Sequence, residues 1–261
     1  MNDLLKKLPL QSLGLGKSRK TPMGRFVVFG LPRSGTTFLS TLLNSHRAIS
    51  CSGEQFNPWS VVDFGKPDDR SDVVLIRDAE PLEHMRKVFA AADARGVEQA
   101  GFKFMLGHNV KVLRALADDP ELRIIYVWRE NRLAQVASML KAMKSKRWAQ
   151  TRVDAHVSQT VEARPRAISQ RWHEMAAMDF LASQWLATIP NPVLTLEYCA
   201  LFKADTPNRL CDFLGVEPDP KMKSPLVKQG SNRVIDRFDP QGPIAHYFTK
   251  IGREEWLGEE L

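Results

Sequence analysis

The sequence predicts an α/β protein, a doubly wound parallel sheet of about five strands flanked by helices, in a single domain with lid insertions. Three observations predict it. Short apolar runs recur at residues 26–29, 100–105, 122–128 and 193–196, with a weaker one at 48–51, the pattern of strands buried on both faces. Stretches with apolar residues at helical spacing lie between them. The first run also passes through a glycine-containing turn into such a stretch.

The elements follow in order. Residues 1–24 read as an N-terminal leader without the uninterrupted apolar core of a signal peptide, and residues 25–261 as the folded domain. After the strand at 26–29, Phe38, Leu39, Leu42 and Leu43 mark one helix, and Leu133, Val136, Ala137 and Leu140 another beyond the strand at 122–128. Residues 55–98 and 144–165 carry the least pattern and read as insertions or lids. A long helix is expected over 167–188, with Trp172 and Trp185 in the core. Thr206 reads as an N-cap, Pro207 as the first helical residue, Leu210, Phe213 and Leu214 as the buried face and Gly215 as the stop. The stretch 221–243, with Lys221, Lys223, Lys228, Arg233 and Arg237 among turn residues, reads as a basic loop.

Hydrophobic residues at 43% and charged residues at 26% place the 261-residue chain among globular proteins rather than disordered or fibrous ones. A net charge of +7 points to an anionic partner. A nucleotide, a membrane surface or an acidic glycan fits, whereas no aromatic-interleaved basic strand or recognition-helix pattern supports nucleic acid. Cys51, Cys199 and Cys211 form no C-x-x-C pair, which argues against zinc and against a disulfide framework and suggests a reducing, cytoplasmic setting. No apolar run approaches the ~20 residues of a membrane span, while peripheral membrane contact stays open.

The most informative stretch is FVVFGLPRSGTTFLSTLLN, residues 26–44. Gly30, Gly35 and Thr37 keep the spacing of the G-x-x-x-x-G-K-[ST] phosphate loop, but Thr36 stands where that loop has lysine. Backbone N–H groups from Ser34 to Thr37, at the start of a helix, would be orphan donors suited to an anion. The cation comes three positions earlier, as Arg33, whose guanidinium offers fixed donors to an oxyanion without giving up its charge.

Pro32-Arg33-Ser34-Gly35-Thr36-Thr37 resembles the 5′-phosphosulfate loop of sulfotransferases that use 3′-phosphoadenosine 5′-phosphosulfate (PAPS). The resemblance implies a P-loop-type fold, contact of Arg33 with the bridging oxygen and sulfonate, and no metal. The family's 3′-phosphate signature, an arginine ending a strand and a serine on the next helix, maps onto Arg129 and Ser138. The string RENRLAQVASML is similar to the form in bacterial trehalose and nodulation-factor sulfotransferases, with one more residue between the two than the cytosolic animal branch shows. Cys51-Ser52-Gly53-Glu54-Gln55-Phe56-Asn57 resembles the Gly-Glu segment of the same carbohydrate branch, where a carboxylate lies near the acceptor hydroxyl. Gly101-Phe102-Lys103 also resembles those enzymes, without an assigned role for Lys103. The tail around Lys228 and Arg233 is loosely similar to a nucleotide-covering loop, which makes these two further candidate nucleotide contacts.

These resemblances imply transfer of a sulfonate from PAPS to a carbohydrate or glycolipid hydroxyl, leaving adenosine 3′,5′-bisphosphate. Glu54 is the expected general base, with its pKa raised by burial beside Phe56. His108 is the rival base, and its plainer reading is a polar cap of a helix beginning near Asn109. Lys141, Lys144, Lys146, Arg147 and Trp148 form a basic run ending in an aromatic ring that could receive an acidic or lipid-linked sugar. Two other functions remain open at this level. A P-loop kinase would need a loop lysine and an acidic magnesium ligand after a strand, where this chain has Arg129-Glu130, and a non-catalytic nucleotide or nucleic-acid binder would need only the charge.

Overall fold

In the computed structural model, which describes residues 23–63, 66–149, 160–227 and 230–261, the run GRFVVFG forms the central strand β1 (Gly24–Gly30). Along the chain follow α1 (Thr36–Leu43), β2 (Ile49–Ser52), a hairpin of β3 (Val61–Asp63) and β4 (Lys66–Asp68), α2 (Ser71–Ala79), α3 (Pro81–Asp93) and β5 (Gln99–Met105). The second half contains α4 (Val110–Ala117), β6 (Arg123–Trp128), α5 (Arg132–Ser145), α6 (Pro165–Leu186), β7 (Val193–Glu197), α7 (Thr206–Leu214) and α8 (Gly242–Lys250). Five strands make one sheet in the order β2-β5-β1-β6-β7, and every pairing in it is parallel.

Parallel strands need crossovers, and the crossovers here cover both faces of the sheet. Phe26 and Val28 of β1 pack on one side with Leu39, Leu43, Leu210 and Leu214 of α1 and α7. Val27 and Phe29 pack on the other with Phe89, Val112 and Ala182 of α3, α4 and α6. Each fully buried side chain of this size contributes roughly 1.5–3 kcal/mol, so the alternation along β1 ties the two layers to one strand. A third cluster lies beyond the sheet edge, where α5 and α6 meet α8 and a short 3₁₀ turn at Glu254–Leu257.

Strand positions agree with the sequence pattern to within two residues, and Trp172 and Trp185 pack on the core as expected. Gly215 ends α7 in the left-handed conformation, φ 71°. Thr206 is a correction: the cap position is Asp205, and the buried Thr206 hydroxyl donates instead to the Ala200 carbonyl at 2.5 Å. Residues 55–98 hold the β3–β4 hairpin and two helices rather than an unpatterned lid. Much of α2 stays outside the core, Leu75 and Ile76 being exposed, so its apolar residues give no clean stripe. The described part of the basic stretch 221–243 is largely loop, as expected, with Lys221, Lys223 and Arg233 exposed, but Met222, Val234, Ile235 and Phe238 anchor it in the core. The leader, apart from Met23 and Gly24, and Lys228 lie outside the described residues. Among the described residues, no helix is long and apolar enough to cross a membrane.

Candidate active site

All five parallel strands end at one edge of the sheet, and the residues that follow them there form the site. After β1, Gly30 opens the loop in a space with no room for a side chain. A Cβ there would stand 2.4 Å from the Val127 carbonyl and 2.9 Å from Ser34 Oγ. The Ser34 hydroxyl donates to the Leu31 carbonyl at 2.8 Å, and the Ser34 amide also reaches that carbonyl at 3.3 Å. The Ser34 amide therefore closes the turn, a correction to its expected availability for an anion. Arg33 and Gly35 both have positive φ, 65° and 102°. No side chain caps α1 at Gly35, so the opening helix amides keep their dipole and donors for an anion. The fully buried Gln135 of α5 pins the loop from behind, donating to the Pro32 carbonyl at 2.8 Å.

Arg33 Nε donates to Ser138 Oγ at 2.8 Å, and its NH1 to the Trp148 carbonyl at 2.5 Å. Burial first, and then the charge of Arg129, lower the Arg33 pKa to about 10, which leaves it cationic at neutral pH. Arg129, directly after β6, donates from NH1 to the Arg33 carbonyl at 2.8 Å and lies 4.0 Å over the Tyr198 ring. The structure thus joins Arg33, Arg129 and Ser138 in one hydrogen-bonded chain. Arg129 does not pair with its neighbour Glu130; its carboxylate partner is Glu260, at 2.6 and 2.7 Å. Trp148, whose backbone carbonyl Arg33 holds, is half exposed, so the basic run ends with an open aromatic residue.

On the other side of the loop, Lys103 of β5 donates to Thr37 Oγ1 at 2.8 Å and to Glu54 Oε1 at 2.6 Å. Asn57 donates to Glu54 Oε2 at 2.6 Å, and His108 Nε2 lies 3.8 Å from that oxygen. Burial acts to raise the Glu54 pKa, but the Lys103 charge and hydrogen bond, the Asn57 amide and His108 outweigh it, and the carboxyl lies below the ordinary range. The expected upward shift is therefore reversed, because the sequence could not place Lys103 against Glu54.

His108 is buried and neutral, its pKa lowered to about 4 mainly by desolvation. Its Nδ1 accepts from the Met105 amide at 3.2 Å, which puts the ring proton on Nε2, facing Glu54. Asn109, not His108, caps α4, accepting from the amides of Lys111 and Val112. Arg233 is exposed and pairs loosely with Asp236 at 4.0 Å, outside this cluster.

Sequence reasoning left Lys103 without a role, named Arg237 only within a basic loop, and missed Tyr198 and Glu260, the carboxylate that Arg129 and Arg237 share. A signal existed for Lys103, since a lysine inside a strand with every residue buried demands a partner. None existed for the others, whose partners lie far away along the chain.

A phosphate-type loop without its lysine, an arginine three positions earlier and a carboxylate two strands away define a group-transfer site. The chain belongs to the sulfotransferase family: the model of that family matches residues 25–220. It is an enzyme of sulfonate transfer. It is similar to Nodulation protein H of Rhizobium meliloti (strain 1021), 24% identical over 242 residues, which cover 87% of this chain and 96% of that protein. This agrees with the branch that RENRLAQVASML resembles. Among solved structures it resembles a sulfotransferase from Alicyclobacillus acidocaldarius (TM-score 0.48, 16% identity, 90% of this chain and 99% of that one). A sulfotransferase domain from the curacin biosynthetic pathway matches at TM-score 0.47 and 14% identity, over 92% of this chain and 90% of that one.

Proposed function

We propose that residues 25–261 act as one catalytic domain that transfers the sulfonate of PAPS to a hydroxyl of a carbohydrate or glycolipid, working in the cytoplasm. The observation that carries this reading is the hydrogen-bonded chain Arg129–Arg33–Ser138 running beside the loop that Lys103 links to Glu54. The residues fit the nucleotide. Gly30 and Gly35 let the loop pack against Val127, Leu201 and Tyr198 in the turn an anion loop needs, and α1 opens without a side-chain cap, which leaves its first amides to an anion.

In this reading PAPS, when bound, supplies an activated sulfonate on a good leaving group. The loop residues Gly35, Thr36 and Thr37, with Arg33, would hold the 5′-phosphosulfate while Ser34 keeps the turn closed, and Arg129 and Ser138 would hold the 3′-phosphate. Lys228 and Arg233 are weaker candidates for nucleotide contact. Arg33, fixed by Ser138 and the Trp148 carbonyl, presents a preorganised cation where negative charge grows, and one such donor is typically worth roughly 3–4 kcal/mol of barrier. Glu54 is the favoured base: it is ionised at neutral pH, and its second oxygen faces the His108 Nε2 proton. With Nδ1 accepting from the Met105 amide, that ring has no free acceptor nitrogen, so Glu54 rather than His108 takes the hydroxyl proton in this reading. The half-exposed Trp148 ring offers an apolar face to a sugar.

The test is direct. Incubation with PAPS and a panel of glycan and glycolipid acceptors should release adenosine 3′,5′-bisphosphate in an acceptor-dependent way, with or without a metal chelator. Tight ATP binding with no response to PAPS would instead support a kinase.

A further inference from the structure

We propose that Arg237 is a second ligand for the nucleotide's 3′-phosphate, and that Glu260 is an internal occupant of that subsite which the phosphate displaces. The inference rests on the reading of Arg129 as a 3′-phosphate residue and goes beyond it.

The Glu260 carboxylate is 1% exposed. Arg129 holds it through Nε at 2.6 Å and NH2 at 2.7 Å, and Arg237 NH2 reaches it at 2.8 Å. Both arginine side chains are themselves largely buried, at 5% and 9% exposure. Two buried cations therefore face a carboxylate of single charge. Among the described residues, the nearby acids turn elsewhere: Asp236 to Arg233, and Glu197 to the amides of Glu130 and Cys199. Lys141 lies in the same field, its pKa lowered by burial and then by Arg237. A phosphate monoester, with a charge of about −1.5 to −2 and three acceptor oxygens, matches two guanidinium groups better than one carboxylate does.

Both arginines are fixed independently of Glu260. Arg237 Nε donates to the Ser231 carbonyl at 2.9 Å. Arg129 donates to the Arg33 carbonyl and stacks on Tyr198. The subsite would thus keep its shape when the carboxylate leaves. Glu260 itself sits on a short segment held to residues 232–234 by hydrogen bonds outside the main sheet. These include Val234 N to the Gly258 carbonyl at 2.8 Å, Glu260 N to the Asn232 carbonyl at 3.2 Å and Leu261 N to Asn232 Oδ1 at 3.0 Å. Cys199 Sγ adds a contact to the Glu260 carbonyl at 3.0 Å. Such a segment can open locally without unfolding the sheet.

The experiment is calorimetric titration of the full chain with adenosine 3′,5′-bisphosphate and with adenosine 5′-monophosphate, which lacks the 3′-phosphate. Glu260→Gln should tighten the bisphosphate about tenfold, because the competing carboxylate no longer lowers the fraction of open sites, and leave the monophosphate within about twofold. Arg237→Gln should weaken the bisphosphate about tenfold or more and leave the monophosphate unchanged. A second measurement needs no variant: in the wild type, hydrogen exchange at residues 258–261 should rise on adding the bisphosphate and not the monophosphate.

Unchanged or weaker bisphosphate binding by folded Glu260→Gln, or unchanged exchange at 258–261 with the bisphosphate bound, overturns the proposal while leaving the nucleotide reading intact. A wild-type chain that binds neither nucleotide, or binds both equally, overturns the nucleotide reading and this inference with it.

Discussion

Lys103 sets its ammonium 2.6 Å from Glu54 Oε1 and 2.8 Å from Thr37 Oγ1, so one buried lysine ties the carboxylate after β2 to the phosphate loop after β1. This contact fixes the ionisation of Glu54. Removing the cation should leave a desolvated carboxylate whose pKa rises. In Lys103→Met the acid limb of kcat/KM should move up by about one pH unit or more, measured across pH 4 to 9. An unmoved limb would separate Lys103 from the proton-transfer step.

Glu54→Gln keeps the Asn57 contact in shape and loses the base, so kcat should fall about 10²- to 10⁴-fold. His108→Ala should fall less, since the imidazole only faces Glu54 Oε2 at 3.8 Å. Near-normal transfer by Glu54→Gln would return the role to His108.

Arg33→Lys retains a charge but not the geometry that serves Ser138 Oγ and the Trp148 carbonyl at once. Its kcat should drop about 10²- to 10³-fold, with the melting temperature little changed. A variant with wild-type kcat would show that only the charge matters.

Gly35→Ala forces a side chain into φ 102°, with its Cβ 2.6 Å from Leu201 Cδ1 and 3.0 Å from the Tyr198 ring. The left-handed backbone alone costs about 1–2 kcal/mol, so the melting temperature should fall and nucleotide affinity with it. A scanning melt with and without adenosine 3′,5′-bisphosphate reads both.

Glu54 and Glu260 both have pKa values below the ordinary carboxylate value of 4.5: burial acts to raise each, and Lys103 for the first and Arg129 with Arg237 for the second outweigh it. For a group depressed on folding, the stabilisation is full above the unfolded value and is lost as pH falls through the folded one. Stability to urea should therefore hold from pH 7 to about 5 and decline below about 4.5, and Glu260→Gln should shallow that decline.

The sequence by itself determined the sheet and the loop. The apolar runs fix strands buried on both faces, the glycine spacing of residues 30–35 admits one kind of turn, and Arg129 and Ser138 are placed because strand end and helix register are local properties. Glu54 was equally legible, as the residue following a short strand. Which charges meet was decided by tertiary structure. Arg237, in a stretch that reads as a basic loop, lies 23 residues from Glu260, and Lys103 lies 49 positions from Glu54. Buried ionic contacts depend on distance and desolvation, neither of which is written in local periodicity. The fold therefore reversed the expected shift of the Glu54 carboxyl, and it paired Arg129 with Glu260, 131 positions away.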